Sequence, residues 1–442
     1  MRPSRFTTLE IEIAMNRLNR LGARPRLESL ETRQLLSTLS PTQVNSAYGL
    51  NAVSFANGAI KGDGRGQTIA LIETYHDPSI YADLVAFDAQ NNLANPILAW
   101  NLPSKLNTDG SRPTMTMVNF AGEATNPTWG DEEALDVEMA HLVAPAANLV
   151  IVEAKPGTVY DLITAIKAVE TLPSVSVISM SWGGAEFQGQ LKLDSTFTTP
   201  KGHTGITFIA SSGDSGPGAQ WPASSPNVVG VGGTSLVGTP SGGRASESAW
   251  SGSGGGISQY ETRPTYQSKT VTGTMRSTPD VSIDADPGSG LMIVSRGRRF
   301  QVGGTSMGAP AWAGLVAIAD QGLAQAGKGT LDGPSQLLPA LYSAPSKDYY
   351  DVTTGPRAAV GYDTSTGLGT PNAVALVPYL DGNTTPIFGH NLASATALIP
   401  VPSVVVPLET AALDALLDSW DHSGPTAKSR LNSVVGLDRS GR

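Results

Sequence analysis

The chain has 442 residues, 40% hydrophobic and 15% charged, with 49 glycines. That is room for one large domain or two ordinary ones, and a globular, loop-rich composition unlike a coiled coil or a disordered chain. A net charge of −9 gives no basic footprint for nucleic acid, and the lack of cysteine excludes disulfides, Cys-zinc sites and a cysteine nucleophile. Histidines are few: His76, His141, His203, His390 and His422. The long uncharged stretches, 215–243 and 382–408, are both interrupted by prolines, so no transmembrane segment is expected.

Residues 1–40 are arginine-rich and lack the apolar core of an ordinary signal peptide. The run 26–37 resembles a leader found on exported proteins of some bacteria; a solvated amphipathic helix is the other reading. From residue 41 to 380 the pattern is α/β. Gln67–Glu73, Asn148–Glu153, Val175–Ser181 and Ile206–Ser211 read as buried strands, and Glu132–Leu142 as a helix. Apolar strands alternating with helices imply a mainly parallel sheet flanked by helices. The glycine-rich segment Gly230–Ser258 reads as a loop between strands, where binding residues tend to sit. Residues 381–442 form a proline-containing linker and tail with a short amphipathic helix at Leu408–Trp420, read as a tether or interaction segment.

The sharpest motif is Gly303-Gly304-Thr305-Ser306-Met307-Gly308-Ala309-Pro310. A strand at Arg299–Val302 enters a Gly-Gly turn. Ser306 follows, and Pro310 is placed near the first turn of an apolar helix, Ala311–Gln321. A serine at a helix N-terminus sits where the dipole favours a developing oxyanion, although an N-cap serine would look the same locally. Glu132 and Asp136 are one helical turn apart, so their carboxyls share a face. Phe208–Gly216 reads as a strand ending in a Gly-Asp-Ser-Gly turn that carries Asp214. That turn imitates the serine motif of chymotrypsin-like proteases, but the expected cysteine and upstream histidine are missing.

Gly-Thr-Ser-Met-x-x-Pro before a helix is found in subtilisins and in sedolisins, the serine-carboxyl peptidases. A subtilisin would end the first core strand in Asp, carry His-Gly-Thr/Ser, and use an Asn oxyanion donor. Here Glu73 ends that strand, no histidine has that context, and Asp214 stands at the oxyanion position. Residues 40–380 therefore resemble the sedolisin family, whose fold is subtilisin-like. The resemblance implies an acid-active, secreted serine endopeptidase acting on polypeptides, in extracellular or cell-surface surroundings. Ser306 is then the nucleophile, Glu132 the general base, Asp136 its proton-sharing partner and protonated Asp214 the oxyanion donor. Glu73 and Trp182, from Ser181-Trp182-Gly183-Gly184, would extend the hydrogen-bond chain, with Gly183 and Gly184 pairing with an extended substrate. Asp280 and Asp286 are expected to be structural, and Glu133 and Glu138 to lie on the surface.

Tyr350–Gly355 and Gly361–Gly369 resemble the family's Ca2+ loop. The implied ligands are the carboxylates of Asp351 and Asp363 and the carbonyls of Val352, Ala359 and Gly361, with Ala359 standing where the family usually has glycine. Sedolisins usually carry a long N-terminal prodomain. A catalytic domain starting near residue 40 implies unaided folding or a separate inhibitor chain, and the tail is a candidate for a surface partner. Two rivals remain: a protease-like binding protein without turnover, and an α/β-hydrolase esterase. The esterase would use Gly304-Thr305-Ser306-Met307-Gly308 as its nucleophile elbow, Asp351 or Asp363 as acid, and His390 or His422 as base.

Overall fold

The structure, a computed structural model, describes residues 39–100, 112–239 and 242–383. The arginine-rich N-terminal segment and the 408–420 helix lie outside these residues. Sheet strands are β1 (Thr68–Thr74), β2 (Ile97–Trp100), β3 (Thr114–Asn119), β4 (Asn148–Ala154), β5 (Val177–Met180), β6 (Thr207–Ser211), β7 (Val228–Gly238), β8 (Arg244–Ala249) and β9 (Val281–Asp284). The hairpin β10 (Leu291–Ser295) and β11 (Arg298–Val302) follows. The helices are α1 (Pro41–Ala47), α2 (Ile80–Asn91), α3 (Pro127–Val143), α4 (Val159–Val169), α5 (Thr305–Gln325) and α6 (Ala373–Asn383).

Every residue of β1 and β4 is buried, as expected of strands covered on both faces. They lie at the centre of a nine-stranded sheet in the order β8-β7-β6-β5-β1-β4-β3-β2, with β9 paired to β7. All pairings are parallel except β7 with β8. Alternation along β1 divides the core. Ile69 and Leu71 join the side that packs α2, α3 and α5, while Ala70 and Ile72 join the side that packs α4. The result is a sheet between two helical layers, and the ends of β1 and β6 open onto the N-terminal ends of α3 and α5.

The expected loop at Gly230–Ser258 is replaced by β7, the longest strand, and β8. The glycines reflect close packing. A Cβ on Gly232 would meet Pro279 and the Ser365 carbonyl at 2.6 Å, and one on Gly233 would meet Ala285 at 2.6 Å. Pro310 also differs from expectation. The helix starts at Thr305 and carries Pro310 inside it. Proline has no N–H to give the carbonyl four residues back, which is that of Ser306, and the Ser181 hydroxyl donates to that carbonyl at 3.2 Å.

The region behind β7 and β9 is fastened by a buried ion pair. Arg276 donates to both carboxylate oxygens of Asp280 at 2.7 and 2.8 Å, and neither side chain is exposed. Asp280 also accepts from the Gly230 amide and the Tyr342 hydroxyl, both at 2.8 Å. Replacing Arg276 by Ala leaves a buried carboxylate without its counter-charge. The expected cost is about 3–5 kcal/mol of stability, read as a lower midpoint in chemical unfolding; an unchanged midpoint would show that this pair does not fasten the sheet.

Candidate active site

Helix α5 is buried at every position from Thr305 to Leu323 except Ser306. The chain reaches that position from β11 through Gly304, whose φ of +134° favours glycine and where a Cβ would stand 2.7 Å from Asp214 Oδ2. Ser306 thus sits in the first turn of a rigid helix, partly open to a cleft of about 400 Å³. Lining the cleft are Trp129 and Glu132 from α3, Ser181 to Ala185 after β5, Asp214 and Ser215 after β6, Gln220, and Thr305 and Ser306 of α5.

Asn126 caps α3 by accepting from the Thr128 and Trp129 amides at 2.9 and 3.3 Å. The helix starts at Pro127, five residues earlier than the sequence suggested, so Glu132 lies in its second turn. Half-buried Glu132 meets Ser306. Burial drives its pKa up to about 7; the hydrogen bond from Ser306 opposes the rise, and the nearby Asp214 carboxyl adds to it. Deeper in, Asp136 and Glu73 are buried and lie within hydrogen-bond reach of each other, with the Ser181 side chain beside Asp136. Two carboxyls in that position satisfy each other by sharing a proton. Burial first, then the charges of Glu73 and Glu132, push Asp136 well above the carboxylate range. Burial and the Glu132 charge bring Glu73 to about 8.

Asp214 stands across the cleft. Thr305 donates its amide and its hydroxyl to Asp214 Oδ1, both at 2.8 Å, and its hydroxyl oxygen accepts the Gly213 amide at 3.0 Å. These bonds orient the carboxyl and leave Oδ2 on the side of Gly304. Although Asp214 is exposed to the open cleft, the surrounding walls raise its pKa; the two bonds from Thr305 oppose that rise. The sequence reading left Thr305 and Ser181 without roles. Both lie within motifs it quoted, but their bonds depend on which elements face each other.

Other expectations meet different outcomes. The indole N–H of Trp182 is buried without an acceptor, so it does not bond to Glu73; the ring packs against Trp221 with centroids 6.1 Å apart. Glu133 and Glu138, expected on the surface, are buried. Glu138 accepts from the Val294 amide at 3.1 Å, so α3 carries acids on more than its catalytic face because β10 packs against it. Asp286 accepts from Ser235 and the Gly288 amide at 2.5 and 2.8 Å, a turn-holding role. None of the histidines among the described residues lines the cleft; His390 and His422 lie outside those residues.

The expected Ca2+ ligands converge. Asp351 accepts the Gly361 amide at 2.9 Å, and Asp363 accepts the Ala359 amide at 3.0 Å, so both carboxylates address the same turn. Asp363 also accepts from the Ser365 and Thr366 amides at 2.8 Å. Two carboxylates with neighbouring carbonyls form a hard, all-oxygen donor set, the chemistry that suits Ca2+. Among the described residues, no group of three or more His, Cys, Asp or Glu side chains gathers at one point, so carbonyls would supply the remaining ligands.

Fold and site together define a subtilisin-like α/β domain. The subtilase family profile matches residues 119–333. The solved structure of Pseudomonas sedolisin, described as a serine-carboxyl proteinase complexed with pseudo-iodotyrostatin, superposes with a TM-score of 0.66 at 25% identity, covering 78% of this chain and 99% of that one. Kumamolisin from Bacillus sp. (strain MN-32) is 31% identical over 363 residues, covering 72% of this chain and 60% of its own length. Sedolisin from Pseudomonas sp. (strain 101) is 32% identical over 257 residues, 50% of this chain and 42% of its own length. The chain belongs to the sedolisin family. It spans about 60% or less of the length of these curated relatives.

The acid row carries a stability signature. Glu132 and Glu73 shift from an ordinary 4.5 to about 7 and about 8, so the folded state holds protons that the unfolded chain has released. Stability is therefore full below the ordinary value and declines as pH rises through the folded values. The melting temperature should fall from about pH 5 to pH 8, and Asp136→Asn should make that decline shallower. A slope unchanged by the substitution would show that the row is not the source of the decline.

Proposed function

We propose that the protein is a secreted serine-carboxyl endopeptidase that hydrolyses polypeptides through an acyl-enzyme. The observation that carries this reading is the meeting of Ser306, the open position of an otherwise buried stretch of helix, with Glu132 in a cleft that no described histidine lines. Family membership supports it. A relative from Aspergillus fumigatus is named a tripeptidyl-peptidase, so exopeptidase action is the other outcome of the same chemistry.

In the proposed reaction Ser306 Oγ attacks the scissile carbonyl carbon while Glu132 accepts its proton. Charge develops on the carbonyl oxygen, and the protonated Asp214 carboxyl donates to it. The tetrahedral intermediate collapses, the C–N bond breaks, and Glu132 returns the proton to the leaving amine. Water then attacks the acyl-enzyme by the same route and releases Ser306. Asp136 and Glu73 hold Glu132 from behind. Backbone along Gly183 and Gly184 is proposed to pair with the extended substrate.

Ca2+ is proposed to bind the loop of Asp351 and Asp363, with the carbonyls of Val352, Ala359 and Gly361. Bound there, it would hold the two halves of the loop together. The loop packs on the core, where the Ser253 hydroxyl donates to the Ser365 carbonyl at 2.7 Å and the Leu368 amide to the Asp280 carbonyl at 2.8 Å. Secretion is proposed from the leader-like run at 26–37. Among the described residues, no helix is long and apolar enough to cross a membrane.

The experiment that tests the mechanism is hydrolysis of a denatured protein as a function of pH. Activity needs Glu132 ionised and Asp214 protonated, and both groups lie above the ordinary carboxylate range. Ionisation of Glu132 sets the acid limb of the profile, and loss of the Asp214 proton sets the alkaline limb. Asp214→Asn removes the need for a protonated acid, so this variant should retain activity at pH values where the wild type has lost it. Ser306→Ala or Glu132→Ala should abolish all but a residue of activity, a loss of roughly 10⁴-fold or more; Glu132→Ala near the wild-type level would reject Glu132 as the base. Release of internal fragments identifies endopeptidase action, and release of tripeptides alone identifies the exopeptidase.

Chelation tests the metal. Because an ion bound only by the folded chain stabilises it, EDTA should lower the melting temperature and added Ca2+ should restore it. Asp363→Asn should lose that response; equal melting temperatures with and without EDTA would remove the Ca2+ proposal.

A further inference from the structure

The row of acids does not end at Glu73. In the parallel register of β1 and β4, Glu73 stands beside Glu153, so the two side chains leave the same face of the sheet. The Glu153 side chain is fully buried. His76 Nδ1 lies 2.8 Å from each of its oxygens, and the Asp77 amide donates to Oε1 at 2.9 Å. After β1 the backbone turns at Tyr75, whose φ of +65° is rare for a bulky residue. The His76 amide is then fixed to the Ala124 carbonyl at 2.7 Å. The ring keeps 15% of its surface exposed. Ser306, Glu132, Asp136, Glu73, Glu153 and His76 thus run in order from the cleft to a second opening onto solvent.

The groups that face Glu153 are Asp77 from its own turn, Glu133 from α3 and Glu73 from β1, all acidic, and His76 is the basic one. Burial drives Glu153 toward its neutral form, while the Asp77 amide and His76 pull it back toward the carboxylate. An ionised Glu153 in turn raises both Glu73 and Glu133. The His76 ring, 2.8 Å from both carboxylate oxygens, is the group placed to offset the charge of Glu153.

We propose that His76 and Glu153 are positioning residues: His76 holds a negative charge on Glu153 behind the acid row, and that charge sets the pH range over which the row holds its shared protons. The effect on activity rests on the peptidase reading; the effect on stability does not.

The test uses the full chain with Glu153→Gln, His76→Gln and the double variant, following kcat/KM and melting temperature against pH. Removing a fixed negative charge lets every acid of the row ionise earlier. In Glu153→Gln the activity profile and the fall in melting temperature should both move toward acid by about one pH unit. The deficit in melting temperature should shrink as pH rises. His76→Gln, a change at a partly exposed ring that keeps the fold testable, should move both in the same direction and no further. Added to Glu153→Gln, it should move neither, because His76 acts only through Glu153. A uniform loss of stability or rate with both profiles in place would overturn the proposal, as would a shift by His76→Gln in the Glu153→Gln background. If the wild type hydrolyses nothing while the melting profiles still move, the charge role stands and the peptidase reading falls.

Discussion

Glu73, Asp136 and Glu133 are buried where β1 meets α3, with Glu132 half-buried at their outer edge, and no lysine or arginine of the described residues forms a salt bridge with any of them. An isolated buried carboxylate is expensive, and an adjacent pair of ionised ones is more so. The fold can hold this group only with protons shared among its members. That constraint links the rest of the site: the raised pKa values follow from it. The protons that satisfy the interior are lost as pH rises.

Holding such a group in register requires a scaffold that does not relax around it. Both sides of the cleft are built on the least exposed parts of the molecule. Glu73 ends a strand buried along its whole length, and Ser306 opens a helix buried from Thr305 to Leu323. Pro310 removes the backbone bond that Ser306 would have accepted inside that helix, and Ser181 replaces it from the segment after β5. The backbone of Ser306 is thereby tied to the segment that forms the facing wall of the cleft. Thr305 plays the same part toward Asp214, using both of its donors on one oxygen and accepting from Gly213. Ser306 and Asp214, the two groups proposed to act on one carbonyl, are joined through adjacent residues of a single helical turn.

Much of this was legible in the sequence because it is local. The octapeptide around Ser306, the one-turn spacing of Glu132 and Asp136, and the buried runs that became β1, β4 and β6 each depend on residues near one another in the chain. The parts that were not legible depend on partners distant in sequence. Glycines at 230, 232 and 233 read as a loop, yet they form a strand because Ala223, Pro279 and Ala285 press against it. Glu133 and Glu138 look like solvent-facing acids until Glu153 and β10 arrive on those faces of α3. Pro310 reads as a helix start; inside the helix, the Ser306 carbonyl that it cannot bond accepts from the Ser181 hydroxyl, 125 residues from Ser306.

The same distinction explains how an acid takes over a histidine's role in the proposed reaction. Imidazole brings its working pKa with it, so a histidine base needs orientation more than it needs an environment. A glutamate needs both, since its ordinary value of 4.5 is far from the about 7 that Glu132 reaches. Here burial makes the largest contribution to that difference, and burial of one acid is tolerable only if its neighbours can take up and release protons with it. The proposed base is therefore a property of the row more than of one residue. The two partly exposed ends of that row are Ser306 at the cleft and His76 beside Glu153.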